Sequence, residues 1–299
     1  MKRISLLRTV CLTVGLSAAF LYTSCDYGPG QILDHGDSVE ERAEEMLDLE
    51  GNDVPNISSG ATYSFIAVTD THFGNSDYGR HETEFFAKVK EVMSSYNDAG
   101  KPIKFAVCLG DVADHGWKGE FEDYKDFMDT LGGIISSKVY TAVGNHDLFN
   151  NGWDDYEDIV WPYTSFYRFK VGGNFTFYFT DTGSGSMGPA QFKILKKTME
   201  KDDRYKILCS HYPVYATDEF FWNYFSLQNT QETDSLIKLC NKEKVVLSLA
   251  GHIHSDHSNS EKLLGFKEQV IAAHFSNRVF LVVTVDDSKG TTEEHRFTY

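Results

Sequence analysis

From Thr62 onward two hydrophobic periods alternate along the chain. Runs that are apolar throughout, or at every second residue, predict strands; runs with apolar residues three and four apart predict helices. Residues 63–69, 104–109, 138–143, 205–209 and 245–249 read as strands. Between them, 81–99 reads as a helix through Phe85, Phe86, Val89, Val92, Met93 and Tyr96, and Gly100 with Pro102 beyond it marks the end. Further helices are predicted at 118–131, at 189–200 with Pro189 in the first turn, and at 234–241. Segments 165–170 and 175–180 flank Val171-Gly172-Gly173-Asn174, a hairpin signal. The tail adds β-like runs at 269–273, 280–285 and 294–298. Crossover helices early and hairpins late predict an α/β protein with a mixed, two-sheet core.

The first 60 residues follow another pattern. Lys2, Arg3 and Arg8 precede an uncharged apolar run of 14 residues from Thr9 to Tyr22. As a helix that run would rise about 21 Å, short of a roughly 30 Å hydrocarbon core, so a secretory signal fits better than a membrane span. Thr23-Ser24 before Cys25 resembles the lipobox of bacterial lipoproteins, with Tyr22 where that pattern usually has Leu. Residues 1–24 are therefore expected to be a lipoprotein-type signal peptide. The protein would be exported to the cell envelope, periplasmic or surface-exposed, and held at the membrane by lipid on Cys25. Plain secretion with an incidental Cys25 is the alternative. Residues 26–60 carry ten acids against the single base Arg42, with a short acidic helix possible only over 39–49. The segment 25–60 is expected to be a solvated acidic tether, followed by a catalytic domain over 61–299.

Composition changes this picture little. With 299 residues, 41% hydrophobic and 24% charged, the chain is long enough for a large core and too ordinary for disorder or a disulfide-packed miniprotein. The formal charge of −16 disfavours a protein that wraps nucleic acid. Part of it belongs to the first 60 residues: residues 61–299 alone carry −10. Cys108, Cys209 and Cys240 form no C-x-x-C pair, and buried free thiols are expected.

The chemistry lies at strand ends. The run 63–69 leads into Asp70-Thr-His72, 104–109 into Gly110-Asp111-Val-Ala-Asp114, and 138–143 into Gly144-Asn145-His146-Asp147. The run 205–209 leads into Ser210-His211-Tyr-Pro213, and 245–249 into Gly251-His252-Ile-His254. In open α/β sheets ligands bind beyond the carboxyl ends of strands, so the five ends can share one crevice. Asp, Asn and His without thiolate suit Mn, Fe or Zn. Seven such ligands exceed one tetrahedral ion and suit two, the arrangement used for in-line displacement at phosphorus. Any one of these motifs alone is commonly a polar turn.

The ordered set D-x-H, G-D-x-x-D, G-N-H-D, H and G-H-x-H resembles the calcineurin-like metallophosphoesterase superfamily, and the match runs from Asp70 to His254. The resemblance implies an αββα sandwich of two mixed sheets flanked by helices, and hydrolysis of phosphate esters by two divalent transition-metal ions. Asp70, His72 and His254 would hold the first ion, Asn145, His211 and His252 the second, and Asp111 would bridge them. A metal-bound hydroxide would be the nucleophile. His146 would protonate the leaving alkoxide, with Asp114 orienting it. Purple acid phosphatases carry a ligating Tyr where this chain has Asp114, and protein Ser/Thr phosphatases follow that Asp with a phosphate-gripping Arg where this chain has His115. His115 is thus a candidate phosphate contact, and Arg80 in the loop after the first strand is another. The expected partner is a small phosphorylated substrate, monoester or diester, not extended nucleic acid. A catalytically silent envelope binding protein on the same fold is the alternative function, and a nuclease-type phosphodiesterase activity is a further one. Aromatics at 149–163 and 212–225 could shape a pocket, though packing under the loops is the commoner role. His257 and His274 stand outside every motif and are expected to be structural or supporting residues.

Overall fold

Strand β2, Thr62–Val68, shows why the chain builds layers. Tyr63, Phe65 and Ala67 turn to one side, into a core between two sheets, while Ile66 and Val68 turn to the other, under helices. Strand β3, Ile103–Cys108, repeats the pattern, with Phe105 and Val107 inside the sandwich and Ala106 and Cys108 facing the helices. Both faces are apolar because both are covered, which is why these strands read as continuous hydrophobic runs.

The computed structural model describes residues 38–215, 226–259 and 261–299, within one unit spanning Asp37–Tyr299. Strands β4 (Val139–Thr141), β11 (Val279–Asp286) and β12 (Thr291–Thr298) complete a five-stranded sheet in the order β12-β11-β2-β3-β4. A seven-stranded sheet has the order β1-β5-β6-β7-β8-β10-β9. Its strands are β1 (Leu47–Leu49), β5 (Tyr167–Val171), β6 (Phe175–Phe179), β7 (Tyr205–Cys209), β8 (Val245–Ala250), β9 (His257–Asn259) and β10 (Lys267–Val270). Both sheets are mixed: β2, β3 and β4 run parallel, as do β6, β7, β8 and β10, while the β5–β6 hairpin and β11 are antiparallel to their neighbours. The sheets meet through aromatic rings; Phe177 lies edge-on to Phe65 at 5.2 Å and to Phe105 at 5.3 Å.

Helices Glu82–Asp98 and Lys118–Ile135 cover the five-stranded sheet, and helices Gly188–Met199 and Thr230–Lys242 cover the other. The αββα sandwich is thus the one expected. Helix Thr230–Lys242 starts four residues before the predicted 234 because the Asn229 side chain accepts hydrogen bonds from the Gln231 and Glu232 amides. Helix Gly152–Ile159 falls in a stretch read only as an aromatic loop. Its Trp153 and Tyr156 pack into the core, as does Phe149 close by, and Tyr163 remains exposed. Cys108, Cys209 and Cys240 are buried free thiols.

The expected tether is corrected over residues 38–60, which belong to the fold. Strand β1 pairs in parallel with β5, Leu47 opposite Tyr167 and Leu49 opposite Phe169. Arg42 is buried and paired with the buried Asp181 at 2.9 Å, and it also donates to Ser184 Oγ. Gly60 donates to Asp287, whose carboxylate also holds the hairpin amides of Gly173 and Asn174. The ten acids masked these anchors, because charge counting cannot tell a base that neutralises a buried Asp from one in solvent. The signal-peptide segment 1–24, Cys25 and the rest of the tether lie outside the described residues, as do 216–225 of the second aromatic segment. Among the described residues no helix is long and apolar enough to cross a membrane.

Candidate metal centre

The carboxyl ends of β2, β3, β4, β7 and β8 bring all seven predicted ligands together. Three groups of potential ligands form among the described residues: Asp70–His72–Asp111–His254 and Asp111–His211–His252, with Asp111 common to both, and His72–Asp114–His146 beside the first. In the first, His254 Nε2 lies 3.1 Å from His72 Nε2 and 3.2 Å from Asp70 Oδ1. In the second, His211 Nε2 lies 3.1 Å from Asn145 Oδ1, 3.2 Å from Asp111 Oδ2 and 3.2 Å from His252 Nδ1. With metal–ligand bonds of about 2.0–2.1 Å, atoms around a tetrahedral ion sit about 3.3 Å apart. The converging lone pairs therefore have the spacing of a coordination shell, and the donor set fits two ions sharing a carboxylate.

The backbone is held in unusual conformations to achieve this. Asp70 (φ 51°), His72 (φ 45°), Asp111 (φ 50°), His252 (φ 70°) and His254 (φ 57°) all occupy the left-handed region. Each costs on the order of 1 kcal/mol or more, and such costs gather at functional sites. Gly144 and Gly251 of the motifs have a different reason, which is space. A Cβ on Gly144 would lie 2.2 Å from Asp111 Oδ1, and one on Gly251 would lie 1.9 Å from Thr69 Oγ1 and 2.5 Å from Asp70 Oδ2.

Several of the candidate ligands are held from behind. His211 Nδ1 donates to the Leu109 carbonyl at 2.8 Å, and Asp70 accepts from Thr69 Oγ1 and from the His252 amide. Tyr212 stacks on the His252 ring at 3.8 Å. Burial works to raise the Asp70 carboxyl, but the hydrogen bond and charge of His254 outweigh it and hold it at about 2. Burial likewise opposes a charge on His211, yet the Asp111 carboxylate beside it lifts the imidazole to about 9. His252 goes the other way, pushed to about 3 by burial and by the positive charge of His211. Burial also works to raise the Asp111 carboxyl, but the charges of His211 and His146 hold it well below the ordinary carboxylate value.

His146 sits at the edge of the cluster. Its ring meets the His72 ring at 4.6 Å, edge to face, and its amide donates to Asp111 Oδ1 at 2.8 Å. Asp114 has a different task from the one expected. Its main-chain carbonyl, not its carboxylate, is 2.7 Å from His146 Nδ1. The carboxylate lies 3.0 Å from His72 Nδ1, an ion-pair approach, and accepts from Asn75 Nδ2 at 3.1 Å. Asp114 thus orients His146 through the backbone and the first-metal ligand His72 through its side chain.

The two candidate phosphate contacts are both engaged elsewhere. Arg80 binds the Glu82 and Asp123 carboxylates at the surface and lies over the Phe73 ring. A phosphate would have to compete with those two carboxylates for its guanidinium. His115 is 2.8 Å from Glu120 Oε1 and stacks on Trp117 at 4.4 Å. That contact does not bring it into the ligand groups. His274 is buried, with Nδ1 donating to the Val279 carbonyl, and His257 pairs with Asn259, so both are structural.

Two further residues outside the motifs support the candidate ligands. Thr182 Oγ1 accepts from both the His211 and Tyr212 amides, fixing the loop that carries His211. Its signal was available, since it follows the apolar run of β6 as the ligands follow theirs. Tyr78, from the loop after β2, places its hydroxyl 3.2 Å from His254 Nδ1, and no motif marks it.

Comparisons with known proteins agree with this fold. The chain resembles in fold a dimetal phosphatase from Danio rerio, with 13% identity, a TM-score of 0.54, and coverage of 79% of this chain and 99% of that one. It also resembles a purple acid phosphatase from yellow lupin seeds, with 16% identity and a TM-score of 0.54, over 82% of this chain and 55% of that one. A third is GAP50, the anchor in the inner membrane complex of Plasmodium, with 15% identity and a TM-score of 0.52, over 80% and 89% of the two chains. No curated protein matches significantly by sequence. The pattern described as calcineurin-like phosphoesterase matches residues 63–256, the stretch that carries every ligand, and on that match the chain belongs to the calcineurin-like phosphoesterase family.

Proposed function

We propose that the protein is a metal-dependent phosphoesterase acting on a small phosphorylated substrate, monoester or diester, with His146 as general acid. The observation that carries this reading is the pair of ligand groups joined at Asp111, with His146 fixed beside them by its amide and by the Asp114 carbonyl. When bound, two divalent ions (Mn, Fe or Zn) would supply Lewis-acid charge and activation of the attacking water. Asp70, His72 and His254 would hold one, and Asn145, His211 and His252 the other. Asp111 places one carboxylate oxygen toward His211 and gives the other to the His146 amide, so the acid is tied to the bridging ligand. With Nδ1–H on the Asp114 carbonyl, protonated His146 delivers its Nε2 proton to the departing ester oxygen.

The test is elemental analysis of the purified protein, followed by assay with a chromogenic phosphomonoester and its diester counterpart in Mn. Two metals per chain with hydrolysis of either is the expected result. Stoichiometric metal without turnover on a broad phosphoester panel would favour the silent binding protein. The ratio of the two rates separates monoesterase from diesterase. The reading also places the mature chain at the cell envelope by lipid on Cys25, supported by the signal-like residues 1–24. Cys25→Ser should move the protein from the membrane to the soluble fraction, and unchanged membrane association would count against the lipid.

A further inference from the structure

The turn that follows β6 joins the N-terminal segment to the second ligand group. Its first residue, Asp181, is fixed through both backbone and side chain. Gln191, on helix Gly188–Met199, accepts from the Asp181 amide at 2.8 Å and donates to its carbonyl at 2.9 Å. The Asp181 carboxylate accepts from Arg42 Nε at 2.9 Å and Nη2 at 3.1 Å, and from the Gly183 amide at 3.1 Å. Arg42 also reaches Ser184 Oγ at 2.9 Å, so one guanidinium spans the turn. Arg42, Asp181 and Gln191 are all buried.

On its other side the turn meets the supports of one ion. A hydroxyl oxygen has two lone pairs, and Thr182 Oγ1 gives them to the amides of His211 at 3.1 Å and Tyr212 at 3.0 Å. Tyr212 in turn stacks on His252 at 3.8 Å. Gly183 lies so close to the G-N-H-D motif that a Cβ on it would stand 2.8 Å from the Gly144 carbonyl oxygen, one residue before Asn145. His211, His252 and Asn145, the candidate ligands of the second ion, are thus backed by 182–183 directly or through one neighbour. Asp70, His72 and His254 of the first group have other supports, in Thr69, Asp114 and Tyr78.

We infer that Thr182 is a positioning residue for the second metal ion, and that Arg42 sets it through Asp181 from the N-terminal segment. This rests on the dinuclear phosphoesterase reading. The physical reason lies in the buried charge. An Asp181 carboxylate without its guanidinium must find another partner or leave the interior, and either movement shifts the turn that holds the His211 and Tyr212 amides. Residue 42, in a stretch whose composition reads as a spacer, therefore acts on one ion of the pair and spares the other.

The test titrates manganese into metal-free protein by calorimetry. Wild type is compared with Thr182→Val, which keeps the shape and removes the acceptor, and with Thr182→Ser, which keeps the acceptor. Wild type and Thr182→Ser should bind two ions per chain. Thr182→Val should bind the first ion as wild type does and the second about ten- to hundredfold more weakly, the range for lost support of a ligand. Arg42→Lys keeps the charge but gives up the fork. It should also weaken the second ion alone, and less than additively with Thr182→Val, because both act on the same turn. Second-ion affinity within twofold of wild type in Thr182→Val would overturn the inference, as would equal weakening of both ions, which marks a merely structural role. A Thr182→Ser protein as weak as Thr182→Val would overturn it too, and additive effects would remove Arg42 from it. Should Thr182→Val fail to fold, Arg42→Lys decides by itself: an unchanged second ion overturns the inference. Wild type that binds fewer than two manganese ions would fail before any variant is compared, and would remove the dinuclear reading on which this rests.

Discussion

Gly144→Ala separates space from conformation at the centre. Gly144 does not have a positive φ, so alanine is compatible with its backbone and only the new methyl matters. That methyl would lie 2.2 Å from both the main-chain nitrogen and Oδ1 of Asp111 and 2.9 Å from its Cα, where ordinary contact begins at 3.4 Å. Asp111 must give by about 1 Å. It cannot do so freely, because its Oδ1 accepts from the His146 amide and its Oδ2 faces His211. Overpacking of this kind costs about 1–3 kcal/mol of stability. The larger effect falls on function, since a 1 Å misplacement near a reacting centre costs on the order of 10²-fold in rate and support for a ligand is worth about 10–100-fold in metal affinity. Gly133→Ala is the control: its Cβ meets nothing within 4 Å on a helix face, and helix propensity alone should stabilise by about 1 kcal/mol. Manganese titration and phosphoesterase rate at saturating metal are the assays, with thermal melts for folding. A Gly144→Ala protein with wild-type manganese affinity and turnover would refute the claim that this glycine exists to make room for Asp111.

Other outcomes follow from the same geometry. His146→Ala should keep both metals, while turnover on an ester with a poor leaving group falls by roughly 10²–10⁴; full activity would remove the general-acid role. Asp114→Asn should weaken manganese affinity through His72 and leave the pH dependence of the acid step unchanged, because the carbonyl that orients His146 is retained. Arg42→Met strips the buried Asp181 of its partner and should lower stability by about 3–5 kcal/mol in denaturant titration, where a solvated tether residue would change nothing. His274 is held neutral by burial, its pKa lowered from 6.5 to about 4. The unfolded chain therefore takes up a proton below pH 6.5 that the folded one refuses, and stability falls by up to about 3 kcal/mol as pH drops from 6.5 to 4. His274→Asn should flatten that part of the stability curve, and an unchanged slope would show that other groups set it.

The sequence by itself determined the layers and named the candidate ligands. The continuous apolar runs in 62–68 and 103–108 follow from strands buried on both faces, and the seven candidate ligands were legible because each follows such a strand. Local order along the chain is enough for that kind of inference. It is insufficient where a residue's role depends on a neighbour distant in sequence. Arg42 looked like one base in an acidic spacer until Asp181, 139 positions away, was seen to be its partner. Asp114 looked like the residue that orients His146, yet its side chain turns to His72 and only its carbonyl serves His146. Nothing in the sequence paired Arg80 with Asp123, 43 positions away, and Tyr78 carried no motif at all. In each case the deciding quantity is which acceptor stands within about 3 Å of a donor, and that distance exists only after the two sheets have packed and their strand ends have met.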